Sequence, residues 1–446
     1  MQKKFVSLLL VILLMTVSVI GCGEKNTNSD TPTSKSEEKD STNNEVAKQK
    51  QEKIIIDIFP DLWPDKMMKS LEAAGLADMV EFRETPQNQY ESKIRMMIAG
   101  GDIGDLICID APNIAYYANM GSLEALDNYW DQSDFDDLVP SAQTAMQYNG
   151  SKWAAPLNES SVVLYYNKEM FKEAGITPAK TLEESWTFDQ ILDAAKKLTK
   201  KDDSGNIIRY GILPTMFTPN NRNEGMTYTQ MMWSWWAGAD IISPDGTTVE
   251  GYFNSDANKE ALQFFYDLHN TYKVAPTEDM QSAFAGEKVA MWINGPWMTS
   301  VWEANFPDFV DKWGAMPLPH NKEKVTNSGS WNIAITKQCK NKELAYKVLE
   351  ALTNEEGAKI YCKETRNIPA RKTILESEPM FSEGHLWEIL NAQIVNWSKA
   401  RPVTPVYPQI SEALMDCYNA LAFGQDVDSA MKEASAKMEK ALKSIK

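Results

Sequence analysis

The run Ile54-Ile55-Ile56-Asp57-Ile58-Phe59, closed by Pro60, decides the class of fold. β-branched residues crowd it without polar alternation, and a residue that cannot donate to a strand ladder ends it. Such a run is a strand covered on both faces. Working outward, Met67 to Ala74 reads as a helix, Met79 to Phe82 as a second strand, Tyr90 to Ile98 as a second helix, and Leu106 to Ile109 as a third strand. Short apolar strands alternating with helices are the pattern of a doubly wound α/β domain on a parallel sheet. The same alternation returns with strand Val162 to Tyr166, helices Phe188 to Leu198 and Glu260 to Tyr272, and strand Val289 to Ile293, so a second α/β unit is expected. At the end of the chain Val427, Met431, Met438, Leu442 and Ile445 mark one face of a helix that packs on a domain surface.

The 446 residues suit two large α/β domains. Lys plus Arg number 45 against 62 Asp plus Glu, a net charge of −17, which disfavours nucleic acid and anionic membrane as partners. With 43% hydrophobic and 24% charged residues, and no apolar run of the roughly 18 residues a membrane span needs, the body is expected to be globular.

The first residues read as an export signal, because Lys3 and Lys4 precede the apolar run Phe5 to Ile20. Val19-Ile20-Gly21-Cys22 then resembles the lipobox of bacterial lipoproteins, in which the cysteine thiolate accepts a diacylglycerol and becomes the new N-terminus. Residues 1–21 are the expected signal peptide and Cys22 the lipidated residue. From Gly23 to Lys53 the only apolar residues are Val46 and Ala47, so nothing there can bury a core. As a flexible tether this stretch reaches on the order of 30 Å. Cys108, Cys339, Cys362 and Cys417 lack the C-x-x-C spacing of a zinc or redox site, and no metal or cofactor is expected.

Several short stretches, in order, carry a family resemblance: Tyr90-Glu91-Ser92-Lys93, Gly100-Gly101-Asp102-Ile103-Gly104-Asp105-Leu106, Gly121-Ser122-Leu123, and Tyr166-Asn167-Lys168-Glu169-Met170-Phe171 with Ala174-Gly175-Ile176. Phe284-Ala285-Gly286-Glu287-Lys288-Val289-Ala290-Met291, Asn294-Gly295-Pro296-Trp297, Gly329-Ser330-Trp331 and Asn367-Ile368-Pro369-Ala370 follow. Together they resemble the extracellular solute-binding proteins of sugar ABC transporters, the group that contains maltose-binding protein. The resemblance implies a two-lobed, type II periplasmic-binding-protein-like fold whose lobes close on a sugar. Lobe one would hold residues 54–158 and 332–372, and lobe two 159–328 and 373–446. Hinges would lie near Asn158, Gly329-Ser330 and Thr373, where a few residues absorb the backbone rotation.

A sugar also suits the residues themselves. The chain carries 14 Trp and 16 Tyr, whose flat apolar faces match the C–H face of a pyranose, while Asp, Asn and Arg meet its hydroxyl edge. An unmatched buried polar group costs about 1–3 kcal/mol, which is how such a cleft discriminates. Trp297 matches the family's stacking tryptophan, and Tyr228 matches an aromatic that contacts sugar in the family. Trp331 follows a crossing between lobes. Trp233 ranks ahead of Trp235 and Trp236, and helical geometry suggests that one of the three faces cleft or solvent. Clefts in open α/β sheets form beyond the carboxyl ends of strands, which nominates Asp61 and Trp63 after strand one, Asn88 and Tyr90 after strand two, and Asp110 after strand three. Glu159 at the first crossing, and Arg401 with Tyr407 in a late loop, complete the expected ligand-binding set.

The acidic pairs Asp136-Asp137, Glu183-Glu184 and Asp202-Asp203 lie in turn-like or helix-starting surroundings, and no H-E-x-x-H, G-x-S-x-G or Walker pattern occurs. The expectation is therefore a non-enzymatic, monomeric receptor that delivers mono- or oligosaccharide to ABC permease subunits. It would be anchored through Cys22 at the extracellular face of the membrane, more in keeping with a Gram-positive surface than a periplasm. A receptor for a peptide or polyamine, or a glycan-degrading surface enzyme, are the alternatives.

Overall fold

The computed structural model describes residues 53–278, 282–329, 331–382 and 384–445. The expected signal peptide, Cys22 and the tether as far as Glu52 lie outside them, as does Ser330 of the second expected hinge.

The chain builds two lobes, each around a five-stranded sheet. In the first, the strand order is Val80–Glu84, Ile54–Ile58, Leu106–Asp110, Trp331–Ile335, Ala155–Pro156. The isoleucine run lies between two parallel neighbours, Ile54 opposite Val80 and Ile56 opposite Leu106, and Ile54, Ile56 and Ile58 are all buried. The second sheet runs Trp313–Met316, Val163–Asn167, Val289–Asn294, Ile207–Leu213, Lys200–Lys201.

Neither sheet is purely parallel, contrary to the pattern read from the sequence. Trp331–Ile335 runs antiparallel to Leu106–Asp110, pairing Trp331 with Asp110, and Val163–Asn167 runs antiparallel to Val289–Asn294. The cause is topological. A strand that enters from the other lobe starts at the end of the sheet where Leu106–Asp110 finishes, so it runs backwards. Trp331 and Asp110 thereby stand together at that end.

Local signals explain the helices. Pro64 opens helix Pro64–Ala73. Thr187 and Gln190 form a reciprocal capping box on Phe188–Leu198, and Asp426 caps Val427–Leu442. Helix Gln87–Gly100 ends at Gly101 with φ 76°, a left-handed position that glycine takes without penalty. In the other lobe, helix Asp256–Tyr266 passes into a wider π turn at Asp267–Thr271.

Alternation along Val163–Asn167 divides the core. Val163 and Tyr165 join a cluster that continues through Ile389, Leu390 and Ile394 of helix His385–Trp397 into lobe one. Leu164 faces the other cluster, with Met231, Trp233 and Trp236 of helix Glu224–Trp236 and Ile410, Leu414 and Tyr418 of helix Tyr407–Ala422. Cys108, Cys339, Cys362 and Cys417 are free and buried. Among the described residues no helix is long and apolar enough to cross a membrane.

Candidate functional site

A short parallel ribbon sets up the site. Ser398–Ala400 pairs with Thr326–Ser328, Ala400 beside Ser328, so the residues that follow, Arg401 and Gly329, emerge together. The Arg401 guanidinium donates from Nη2 to the Gly329 carbonyl at 2.8 Å. It also grips Asp110, the last residue of its strand, with Nη1 to Oδ2 at 2.8 Å and Nη2 to Oδ1 at 2.5 Å. Nη1 reaches Glu224 Oε1 at 2.9 Å as well. Asp110 belongs to the sheet of lobe one and Glu224 opens a helix of lobe two, so one buried cation bridges the lobes.

The bridge is tightly held. Arg401 is 4% exposed, and its guanidinium carbon stands 5.1 Å over the Tyr228 ring, a cation–π contact. Burial opposes the charge on Arg401, but Asp110, Tyr407 and Glu224 outweigh it and drive its pKa well above the ordinary arginine value. Glu224 also accepts from the Tyr407 hydroxyl and, at 2.5 Å, from Ser411 Oγ. Its helix is capped by Asn223, whose Oδ1 accepts the Gly225 N–H at 2.9 Å. Burial raises the Glu224 carboxyl and Asp110 adds to the effect, while Arg401, Ser411 and Tyr407 oppose it. A third of the Glu224 side chain nevertheless remains reachable by water.

Beneath Arg401, Tyr228 is buried and shares a 2.7 Å hydrogen bond with Ser160 Oγ. Glu159 accepts the backbone N–H groups of Ser160 at 2.8 Å and Gly329 at 2.5 Å, so its carboxylate ties two stretches that pass between the sheets. Burial raises its pKa, and those two N–H donors pull it back. Trp331 is half-buried and meets Phe59 edge-on at 4.5 Å and 67°. Asp110, Glu159, Tyr228, Trp331, Arg401 and Tyr407, all nominated from sequence, thus gather in one neighbourhood.

Other nominated residues stand elsewhere. Trp297 is half-buried at the start of helix Trp297–Asn305, its indole laid against Gly295 so closely that a methyl there would come within 2.1 Å of the ring. Trp63 is half-buried with φ 47°, a left-handed conformation rare for a bulky side chain, between a 3-10 turn and the next helix. Asp61 and Asn88 are exposed, and none of the contacts described above includes them.

Two expectations are corrected. Trp233 does not face the cleft, nor does either neighbouring tryptophan. All three are buried, with Trp233 Nε1 donating to Pro214 O at 3.0 Å, Trp236 Nε1 to Val325 O at 2.7 Å and Trp235 Nε1 to Asp240 Oδ1 at 3.1 Å. A helix enclosed on every side buries positions 233, 235 and 236 whichever way they point. Tyr90 is likewise a core residue. Its hydroxyl lies 2.8 Å from the carbonyls of Asp57 and Cys108 and accepts the Cys108 N–H at 3.1 Å, stitching two strands.

Glu91 and Glu224 escaped the sequence reading. Glu91 follows Tyr90 on helix Gln87–Gly100, and its Oε2 accepts from Tyr117 OH at 2.8 Å while its Oε1 accepts from Asn113 Nδ2 at 3.4 Å. Arg95, one turn on, lies 3.6 Å away. A signal for Glu224 was available: a buried Arg401 requires carboxylate partners, and an acidic residue opening an apolar helix is one such place.

The two-lobed α/β architecture, with its polar cluster between lobes, is that of a solute receptor. The model of the bacterial extracellular solute-binding protein family matches residues 77–359, and the chain belongs to that family. A binding protein of Brucella abortus is 22% identical over 386 residues, covering 85% of this chain and 89% of its own. A maltotriose-binding protein of Pyrococcus abyssi is 26% identical over 254 residues, 54% of this chain and 47% of its own. Among solved structures, an ABC transporter solute-binding protein of Thermotoga lettingae bound with α-D-tagatose superposes with a TM-score of 0.74 at 25% identity, covering 88% of this chain and all of that one.

Proposed function

We propose that this protein is the lipid-anchored, extracellular substrate-binding component of a carbohydrate ABC transporter, a monomer without catalytic activity that captures a mono- or oligosaccharide and presents it to the permease. The observation that carries the reading is the group formed by Asp110, Arg401 and Glu224, which joins both lobes through one guanidinium beside Trp331 and Tyr228. Carboxylates accept the hydroxyls of a sugar edge, and indole or phenol faces take the C–H side. Ligand contacts made to both lobes at once favour the closed arrangement over an open one. Asp61, Trp63, Asn88, Asp110, Glu159, Tyr228, Trp297, Trp331, Arg401 and Tyr407 are the proposed ligand shell, with the stretches near Asn158, Gly329 and Thr373 as hinges.

Names borne by relatives, which include a maltotriose-binding and a maltodextrin-binding protein, support a carbohydrate ligand. Calorimetry of the soluble domain against a panel of mono- and oligosaccharides tests it, together with X-ray scattering at saturating ligand. Binding accompanied by a smaller radius of gyration, without added nucleotide or metal, is the expected result. An unchanged radius with tight binding would remove the hinge mechanism.

A further inference from the structure

Where the chain passes between the two sheets, buried polar groups tie the passing stretches together at two levels. Residues 157–162 join Ala155–Pro156 to Val163–Asn167, and residues 317–330 join Trp313–Met316 to Trp331–Ile335. A third stretch runs from Ile368, which is bridged to Glu159, to helix His385–Trp397. At the level nearer lobe one, the Glu159 carboxylate accepts the Ser160 and Gly329 N–H groups, and its own N–H donates to Ile368 O at 2.6 Å. Leu157 N–H donates to Trp331 O at 3.1 Å, so this level is continuous with the first sheet.

The level nearer lobe two is built on side chains. Ser161 Oγ shares a 2.8 Å hydrogen bond with Thr326 Oγ1 and accepts from Gln393 Nε2 at 3.3 Å. Gln393 also donates to Val162 O at 2.8 Å and accepts the Leu318 N–H at 2.9 Å, next to strands Val163–Asn167 and Trp313–Met316 of the second sheet. Ser161, Thr326 and Gln393 are all fully buried.

Little chain is left between the levels: Ser160 on the first stretch, and residues 327 and 328 on the second. Tyr228, from helix Glu224–Trp236 of lobe two, meets both. Its hydroxyl shares the 2.7 Å hydrogen bond with Ser160 Oγ, and its carbonyl accepts from Asn327 Nδ2. Turning one level against the other must rotate the Ser160 backbone and swing Oγ, and a hydrogen bond weakens steeply once its angle falls below about 120°.

We propose that the joint between the lobes is confined to Ser160 and residues 327–329, and that Ser160 and Tyr228 are positioning residues whose hydrogen bond is made in the closed arrangement and broken in the open one. The bond then sets the ratio of closed to open receptor, and with it the affinity for every ligand by one common factor. A neutral hydrogen bond of this kind shifts such a ratio by about three- to tenfold. This rests on the reading of the protein as a hinged carbohydrate receptor and deepens it by naming where the hinge turns.

The test compares wild type with Tyr228→Phe, Ser160→Ala, the double variant and Gln393→Met. Calorimetry with glucose, galactose, maltose and maltotriose gives affinities, and urea unfolding gives the folded fraction. Tyr228→Phe keeps the ring face and removes the hydroxyl. Each single variant should weaken all binding sugars by the same three- to tenfold factor, leaving the ratios between sugars as in wild type, and the double variant should be no weaker than the weaker single. Gln393→Met alters a level that moves rigidly with lobe two, so it should lower the urea midpoint and leave affinity per folded molecule unchanged. Losses that differ from sugar to sugar would make the Tyr228 hydroxyl a ligand contact, and additive losses in the double variant would break the link to Ser160; either overturns the proposal. A loss of affinity in Gln393→Met equal to that in Tyr228→Phe would overturn the confinement of the joint. All three outcomes leave the carbohydrate reading intact, whereas failure of every sugar to bind wild type would refute that reading and the inference with it.

Discussion

Replacing Arg401 by methionine would remove the guanidinium that links the lobes and keep a side chain of similar reach. Asp110 is 7% exposed, and Arg401 supplies it with two hydrogen bonds. Glu224 would keep Tyr407 and Ser411, so the loss would fall mainly on Asp110. Stranding one partner of a buried ion pair costs about 3–5 kcal/mol. Urea unfolding followed by tryptophan fluorescence should show Arg401→Met destabilised by that amount. Adding Asp110→Asn removes the stranded charge and should restore at least about half of the loss, since a neutral amide is far cheaper to bury than a carboxylate. X-ray scattering from the ligand-free variant separates opening of the lobes from unfolding, because opening would let water reach Asp110 without a stability loss. A single variant within about 1 kcal/mol of wild type at unchanged radius, or a double variant no more stable than the single, would refute the reasoning.

Three further outcomes are expected. Trp297→Ala should lower sugar affinity by about 2–3 kcal/mol, roughly 30- to 150-fold, with little change in urea midpoint, and Gly295→Ala should act in the same direction because its methyl displaces the indole; a large stability loss at unchanged affinity would make Trp297 a core residue. Burial lowers the pKa of His269 from the ordinary 6.5 to about 3, with the backbone at Ala275 and Pro276 acting against it. Its stabilising share is complete above about pH 6.5 and is lost as pH falls towards 3, at up to about 1.4 kcal/mol per pH unit, so His269→Phe should flatten the urea midpoint between about pH 6 and pH 4. Cys22→Ala should release the protein from the membrane fraction without altering sugar affinity; retention there would refute the lipobox.

The sequence exposed those features whose cause is local. Ile54–Ile58 is a strand because its side chains suit no other environment, and Phe188–Leu198 begins where Thr187 and Gln190 can cap each other. The antiparallel return of Trp331–Ile335 was hidden, since its direction depends on where the chain comes back from the other lobe. The same divide runs through the site. Asp110 and Arg401 were legible from their places after a strand and in a late loop, yet their bidentate pairing depends on two stretches 291 residues apart. Trp233 misled because an aromatic on a crowded helix looks alike in a cleft and in a core, and only packing against Phe188 and Phe264 separates them. Glu91 passed as an ordinary helix-surface acid, with Ser92 and Lys93 beside it.

The four buried thiols make this receptor convenient to instrument. Burial pushes the pKa of each upward, so thiolate is scarce at Cys108, Cys339, Cys362 and Cys417 and a maleimide dye finds little to attack. A soluble form starting after Cys22 would then be silent to labelling without any native cysteine being replaced. One cysteine introduced at an exposed methionine, Met96 or Met120, would carry the only reactive sulfur. A fluorophore there whose surroundings change as the lobes move would turn the protein into a reagentless optical sensor for its own ligand.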